Sequence, residues 1–141
     1  MQQSVYVLVG YPASGKSTWA NWFVTTNSNL IILDGDVLKT SKKVEKELMY
    51  KLNEGRSVIV DACNHSLKRR SPLIQQCKQR NIPIFAIYFK IPLEVCKARA
   101  KIREEQIGKH IPAIAYNKMK KDFVEPSLPE GFLGISFIEN F

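Results

Sequence analysis

A chain of 141 residues, 45% apolar and 24% charged, is long enough to bury one core without disulfides or metals, and it has neither a disordered nor a fibrous composition. No apolar run approaches the roughly 18 residues that cross a bilayer, and the N-terminus lacks the basic stretch and small-residue cleavage site of a secretory signal. The expectation is one domain over 1–141, monomeric, away from membranes and intracellular: cytoplasmic, with the nucleus open to it in a eukaryotic or viral source. The net charge of +8 steers anionic partners inward, and nucleic acid is the commonest of these.

Apolar runs of strand type alternate with helical patterns along the chain. Val5 to Val9 reads as the first strand, followed by a helix from Gly15 to about Thr25. Leu30 to Leu33 is the second strand. Val44, Leu48 and Leu52, spaced by four, mark one face of the next helix, with Gly55 as its stop. Ser57 to Val60 is the third strand. A helix from Ser66 to Arg80 comes next, in which Pro72 predicts a kink or the true first turn. Ile84 to Phe89 is the fourth strand, helices follow over Leu93 to about Glu105 and Pro112 to about Val124, and Gly134 to Ile138 closes the chain as a fifth strand. Runs apolar at consecutive positions are buried on both faces, as parallel strands are. The pattern predicts an α/β fold, a parallel sheet of about five strands sandwiched between helices, with ligands at the carboxyl ends of the strands.

Gly10-Tyr11-Pro12-Ala13-Ser14-Gly15-Lys16-Ser17 fits G-x-x-x-x-G-K-S/T, with the required strand before it and helix after it. Its glycines let successive backbone N–H groups turn inward on phosphate oxygens, and the helix that starts there adds its positive end. Gly10, Pro12, Ala13, Ser14, Gly15, Lys16, Ser17 and Thr18 are the candidate nucleotide-binding residues. Lys16 reaches the β- and γ-phosphates of ATP, and Ser17 is the one protein ligand expected for Mg²⁺. A GTP-reading Asn-Lys-x-Asp is absent: Asn117-Lys118-Met119-Lys120 lacks the aspartate. A small kinase is the class that remains.

Two carboxylate positions follow strands. Asp36, just past the second strand, suits a general base that takes the proton of an attacking acceptor hydroxyl; capping the next helix is its plainer role, and both can coexist. Asp61 ends the third strand, placed to hold Mg²⁺ through water or to hydrogen-bond the acceptor, or simply to close a strand-end turn. Asn64 stands three residues on.

The phosphate loop, LDGDVLK (Leu33 to Lys39), VDACNHSLKRR (Val60 to Arg70), CKARAKIRE (Cys96 to Glu104) and HIPAIAYNKMKKDFVEPSLPEGF (His110 to Phe132) together resemble the 5′-kinase domain of polynucleotide kinases. That resemblance implies transfer of the ATP γ-phosphate to the 5′-hydroxyl of DNA or RNA. It puts Lys16 and Ser17 on the phosphate and Mg²⁺ positions, Asp36 on the general base, and Asp61 on the aspartate near the acceptor. It puts Arg103 on a lid arginine acting as an in-cis arginine finger, with Arg99 one turn earlier on the same face. Asp61, Asn64, Lys39 and Arg70 become acceptor-binding candidates beside Asp36. Lys39 stands where some members carry an arginine, and Asp34-Gly35-Asp36 replaces the Asn-Arg-Asp of many.

Other readings of the same residues are a small-molecule or nucleoside kinase of this fold, and a non-catalytic ATP-binding module. Arg69 is a second arginine that could reach the acceptor. Lys97, Lys101, Lys109, Lys118, Lys120 and Lys121 read as surface charge. Trp19 and Trp22 read as core, Phe123 and Phe132 as packing, and Cys63, Cys77 and Cys96 as reduced, buried thiols. His65 and His110 receive no chemistry.

Overall fold

The structure is a computed structural model that describes residues 2–140. Five parallel strands, β1 (Val5–Val9), β2 (Leu30–Asp34), β3 (Ser57–Asp61), β4 (Ile84–Phe89) and β5 (Gly134–Ile138), form one sheet in the order β2-β3-β1-β4-β5. The helices are α1 (Lys16–Phe23), α2 (Gly35–Leu38), α3 (Ser41–Asn53), α4 (Leu67–Gln79), α5 (Leu93–Ile107) and α6 (Ala113–Asp122). All five expected strands are present. The four-residue α2 went unforeseen, because no apolar period can show in so short a piece.

Strand alternation divides the core between the two faces of the sheet. Val5, Val7, Val9, Val58 and Val60 pack with Val44, Leu48 and Leu52 of α3 and Leu73, Ile74 and Cys77 of α4. Leu8, Ile59, Ile87 and Phe89 pack on the other face with Ala20 of α1, Cys96 and Ala100 of α5 and Tyr116 of α6. The central strands are apolar at successive positions because both faces are covered.

Caps set where α3 and α4 begin. Thr40 Oγ1 accepts from Lys43 N at 3.2 Å, and Ser66 Oγ accepts from Arg69 N at 3.3 Å. Pro72 lies within α4, past its first turn, and the helix runs through it. Burial of Leu73, Ile74 and Cys77 outweighs the lost backbone bond. Trp19 stacks on Phe23 with ring centroids 4.6 Å apart, as core packing requires, whereas Trp22 is 59% exposed. Cys77 and Cys96 are buried, but Cys63 is only half-buried and faces the functional cleft. No helix among the described residues is long and apolar enough to cross a membrane.

Consecutive strands place the site. β1 lies between β3 and β4; the chain leaves it through α1 for β2, at the edge beyond β3, and β4 on its other side leads toward the opposite edge, so a crevice opens at the carboxyl end of β1. The loops after β1, β2 and β3 all empty into it. The β2–β3 register sets Asp34 beside Asp61, which fixes the two acidic loops side by side.

Candidate active site

The loop after β1 folds as a phosphate cradle for identifiable reasons. Gly15 holds φ 101, a left-handed conformation open to glycine, and turns the chain into α1. Gly10 N donates to Cys63 O at 3.1 Å, tying the loop to the segment after β3. Lys16 is buried, its ammonium donating to Gly10 O at 3.0 Å and Tyr11 O at 2.7 Å. From the far side Tyr116 Oη of α6 donates to Pro12 O at 3.2 Å, and the Phe123 ring stacks on Tyr11 with centroids 5.0 Å apart. Phe123 and the buried Phe132 therefore pack, as expected.

Ser17 Oγ donates to Asp61 Oδ2 at 2.8 Å. Two residues 44 apart in sequence thus bring two hard oxygen donors together at the start of α1. Burial raises the Asp61 pKa above its ordinary value, opposed by the Ser17 hydrogen bond and the Lys16 charge. Burial likewise raises the Cys63 thiol, which keeps it protonated rather than nucleophilic.

Across the cleft, Asp34 Oδ1 accepts from Asp36 N at 2.9 Å, so Asp34 is the cap of α2 and Asp36 sits in its first turn with its own carboxylate turned out. The capping role weighed for Asp36 thus falls to Asp34. A Cβ on Gly35 would meet the Ala62 Cβ at 2.8 Å. Having no side chain, Gly35 lets the two acidic loops touch. Lys39 follows at φ 72 and lines the cleft.

Two hollows meet over the loop. A cleft of about 440 Å³ is lined by Asp36, Lys39, Asp61, Arg69 and Lys109 on the side of α2, α3 and α4. A second hollow, of about 730 Å³, is lined by Gly15, Thr18, Arg99 and Ile102 on the side of α1 and α5. Ala13, Lys16, Ser17 and Arg103 line both. The wall between the hollows thus carries a lysine, an arginine and a hydroxyl, the groups that phosphoryl transfer needs between donor and acceptor.

Arg70 lies elsewhere than the acceptor contact expected for it. It is fully buried, its Nε 2.8 Å from Glu130 Oε1 and its Nη2 3.0 Å from Glu130 Oε2, while Nη1 donates to Asn64 O and Val124 O at 3.0 and 2.8 Å. This guanidinium ties α4 to the C-terminal segment and has no face toward the cleft. Its neighbour Arg69 takes the cleft position, with Nη1 donating to Ser41 Oγ at 2.9 Å. Asn64 borders the cleft, and its amide donates to Leu8 O at 2.8 Å, stapling the loop after β3 to β1 at a positive φ of 45.

Lys109, read as surface charge, has a defined partner: its Nζ lies 2.9 Å from Asp36 Oδ2. Nothing local in the sequence signals a contact between residues 73 apart. The pairing of Glu130 with Arg70, across 60 residues, has no local signal either.

A phosphate cradle at the end of the central strand of a parallel sheet, facing a carboxylate and a basic rim, defines a P-loop protein of the kinase fold. The chain belongs to the AAA domain family, whose model matches residues 39–126. It is 32% identical over 134 residues to the bifunctional polynucleotide phosphatase/kinase of Schizosaccharomyces pombe, a match that takes in 94% of this chain and 33% of that protein. It is 29% identical over 135 residues to a putative bifunctional polynucleotide phosphatase/kinase of Acanthamoeba polyphaga mimivirus, covering 93% of this chain and 32% of that one. Among solved structures, a chain of the Pnkp1/Rnl/Hen1 RNA repair complex superposes with TM-score 0.74 and 28% identity, over 86% of this chain and 44% of its own. The resemblance to polynucleotide kinases read from the motifs therefore holds along nearly the whole chain, which spans about a third of the length of these two relatives.

Proposed function

We propose that this chain transfers the γ-phosphate of ATP to the 5′-hydroxyl end of DNA or RNA. The observation that carries the reading is the shared wall of Lys16, Ser17 and Arg103 between two hollows, one of which holds Asp36 beneath a basic rim. Similarity to proteins named polynucleotide phosphatase/kinase supports a nucleic-acid acceptor.

In this reading the loop N–H groups and Lys16 hold the β- and γ-phosphates, with Arg99 beside them in the donor hollow. The acceptor lies against Lys39 and Arg69, with its hydroxyl at Asp36. As that hydroxyl gives its proton to the Asp36 carboxylate, its oxygen bonds to the γ-phosphorus. The bond from that phosphorus to the β–γ bridging oxygen breaks, and ADP leaves. Arg103 meets the migrating charge from above, as an arginine finger does. Asp36 afterwards releases its proton to water.

The Ser17–Asp61 oxygen pair fits Mg²⁺, which takes few protein ligands and completes its shell with phosphates and water. No cluster of three or more metal-ligating side chains among the described residues suggests a more enclosed site. Ser17 would ligate the ion directly and Asp61 through water, and the bound ion would neutralise phosphate charge.

A cleft of about 440 Å³ would also suit a nucleoside or small metabolite, and this is the second reading. Acceptor comparison in a salt series separates the two. With an oligonucleotide acceptor, KM should rise steeply with salt, because each phosphate contact releases counterions. Phosphorylation of a metabolite with a salt-independent KM, and none of the oligonucleotide, overturns the proposal. Tight ATP binding with neither transfer nor hydrolysis would make the chain a binding module instead.

A further inference from the structure

The segment Gly108 to Pro112 joins α5, which carries Arg99 and Arg103, to α6, which is fixed to the phosphate loop through Tyr116. It leaves α5 at Gly108, in a left-handed turn of φ 72. His110 Nδ1 then lies 3.0 Å from Glu104 Oε1, which holds the segment against its own helix. Both ends of this strap are therefore anchored on the donor side. Its second residue reaches across the cleft to the acceptor side, where Lys109 Nζ meets Asp36 Oδ2 at 2.9 Å.

Resting on the function proposed above, we infer that Lys109 is a positioning residue for the general base. It couples the arginine-bearing lid to Asp36 and turns the carboxylate so that Oδ1 is the oxygen that takes the acceptor's proton. α2, which carries Asp36, is a single turn and gives its side chain little support. The Asp36 side chain is 80% exposed and that of Lys109 45%, so the pair adds little to stability. Its effect lies in the orientation of an exposed carboxylate, since small misplacements of a reacting group cost rate. The pair also forms only while the strap lies over the cleft, which links base orientation to lid position.

The test is a cycle of four full-chain proteins, the wild type, Lys109→Gln, Asp36→Asn and the double variant, with Lys109→Arg alongside. Initial rates of transfer to a 5′-hydroxyl oligonucleotide are measured at saturating acceptor. Lys109→Gln should lower kcat about 3- to 10-fold with KM for ATP within about twofold of wild type, and Lys109→Arg should recover most of the loss. In the Asp36→Asn background, Lys109→Gln should change kcat less than about twofold, because its partner carboxylate is gone. A kcat for Lys109→Gln within twofold of wild type, or an equal fold loss in both backgrounds, overturns this inference alone. A raised acceptor KM with kcat intact overturns it too, because that is the signature of a phosphate contact. Undiminished transfer by Asp36→Asn, or none by the wild type, overturns the proposed function and this inference with it.

Discussion

Ser17 and Asp61, from the phosphate loop and the end of β3, share a hydrogen bond of 2.8 Å at a place where the carboxylate is almost wholly buried. Burial makes the ionised form unfavourable there, which raises its pKa. Ionisation of Asp61 therefore costs the folded protein stability, a cost that grows as pH rises. Asp61→Asn keeps an oxygen for Ser17 and removes the charge. It should raise the melting temperature of the nucleotide-free protein by a few degrees and weaken Mg·ATP binding. Differential scanning fluorimetry with and without Mg·ATP reads both effects.

Arg69 and Arg70, adjacent in sequence, should fail differently. Arg70→Met leaves Glu130, with 9% of its side chain exposed, as an unpaired buried carboxylate, and breaking such a pair costs about 3–5 kcal/mol. Urea unfolding should show that loss. Arg69→Ala should leave the unfolding midpoint unchanged, raise the acceptor KM, and reduce the salt slope of that KM by about one. Steady-state kinetics at three salt concentrations is the check.

This pair of arginines marks the limit of what the sequence made legible. The strands, the phosphate loop and both acidic loops follow from local signals: apolar runs, glycine turns and carboxylates at strand ends. Which of two neighbouring arginines points inward does not, because it depends on Glu130, 60 residues away, reaching α4. The contact between Lys109 and Asp36 was hidden for the same reason, since it closes a separation of 73 residues. Asn64, by contrast, is a polar residue beside the site whose amide is taken by strand carbonyls. A positive φ at that asparagine is the kind of local demand that sequence can hint at and only structure can establish.

His65 should make the protein acid-sensitive. Burial and the Arg69 charge lower its pKa from the ordinary 6.5, with Arg70 of α4 and Lys118 of α6 acting in the same sense and Asp122 of α6 against it. Between the two values the unfolded chain binds more protons, so stability rises with pH there. The contribution is complete above about pH 6.5 and is lost as pH falls below that. The His65 ring stacks against Phe123, and its Nδ1 has no partner. His65→Phe keeps the stack and should shrink the fall in melting temperature between pH 7.5 and pH 5 by about 2 °C or more. Melting curves across that range decide it.

Arg103 lines both hollows, and its value should lie in the transition state rather than in nucleotide affinity. Arg103→Ala should lower kcat by about 10³-fold or more while ATP affinity changes little. Arg103→Lys should recover only a small part, because an ammonium lacks the planar fork. Equilibrium ATP binding paired with single-turnover transfer separates the two quantities.

Transfer of label from γ-labelled ATP to a 5′-hydroxyl oligonucleotide, by the wild type and by Asp36→Ala, is the most direct test. The wild type should label the oligonucleotide at its 5′ end and leave the same oligomer unlabelled when that end already carries a phosphate. Asp36→Ala should label it at least about 100-fold more slowly. No transfer by the wild type, or undiminished transfer by Asp36→Ala, would contradict the account.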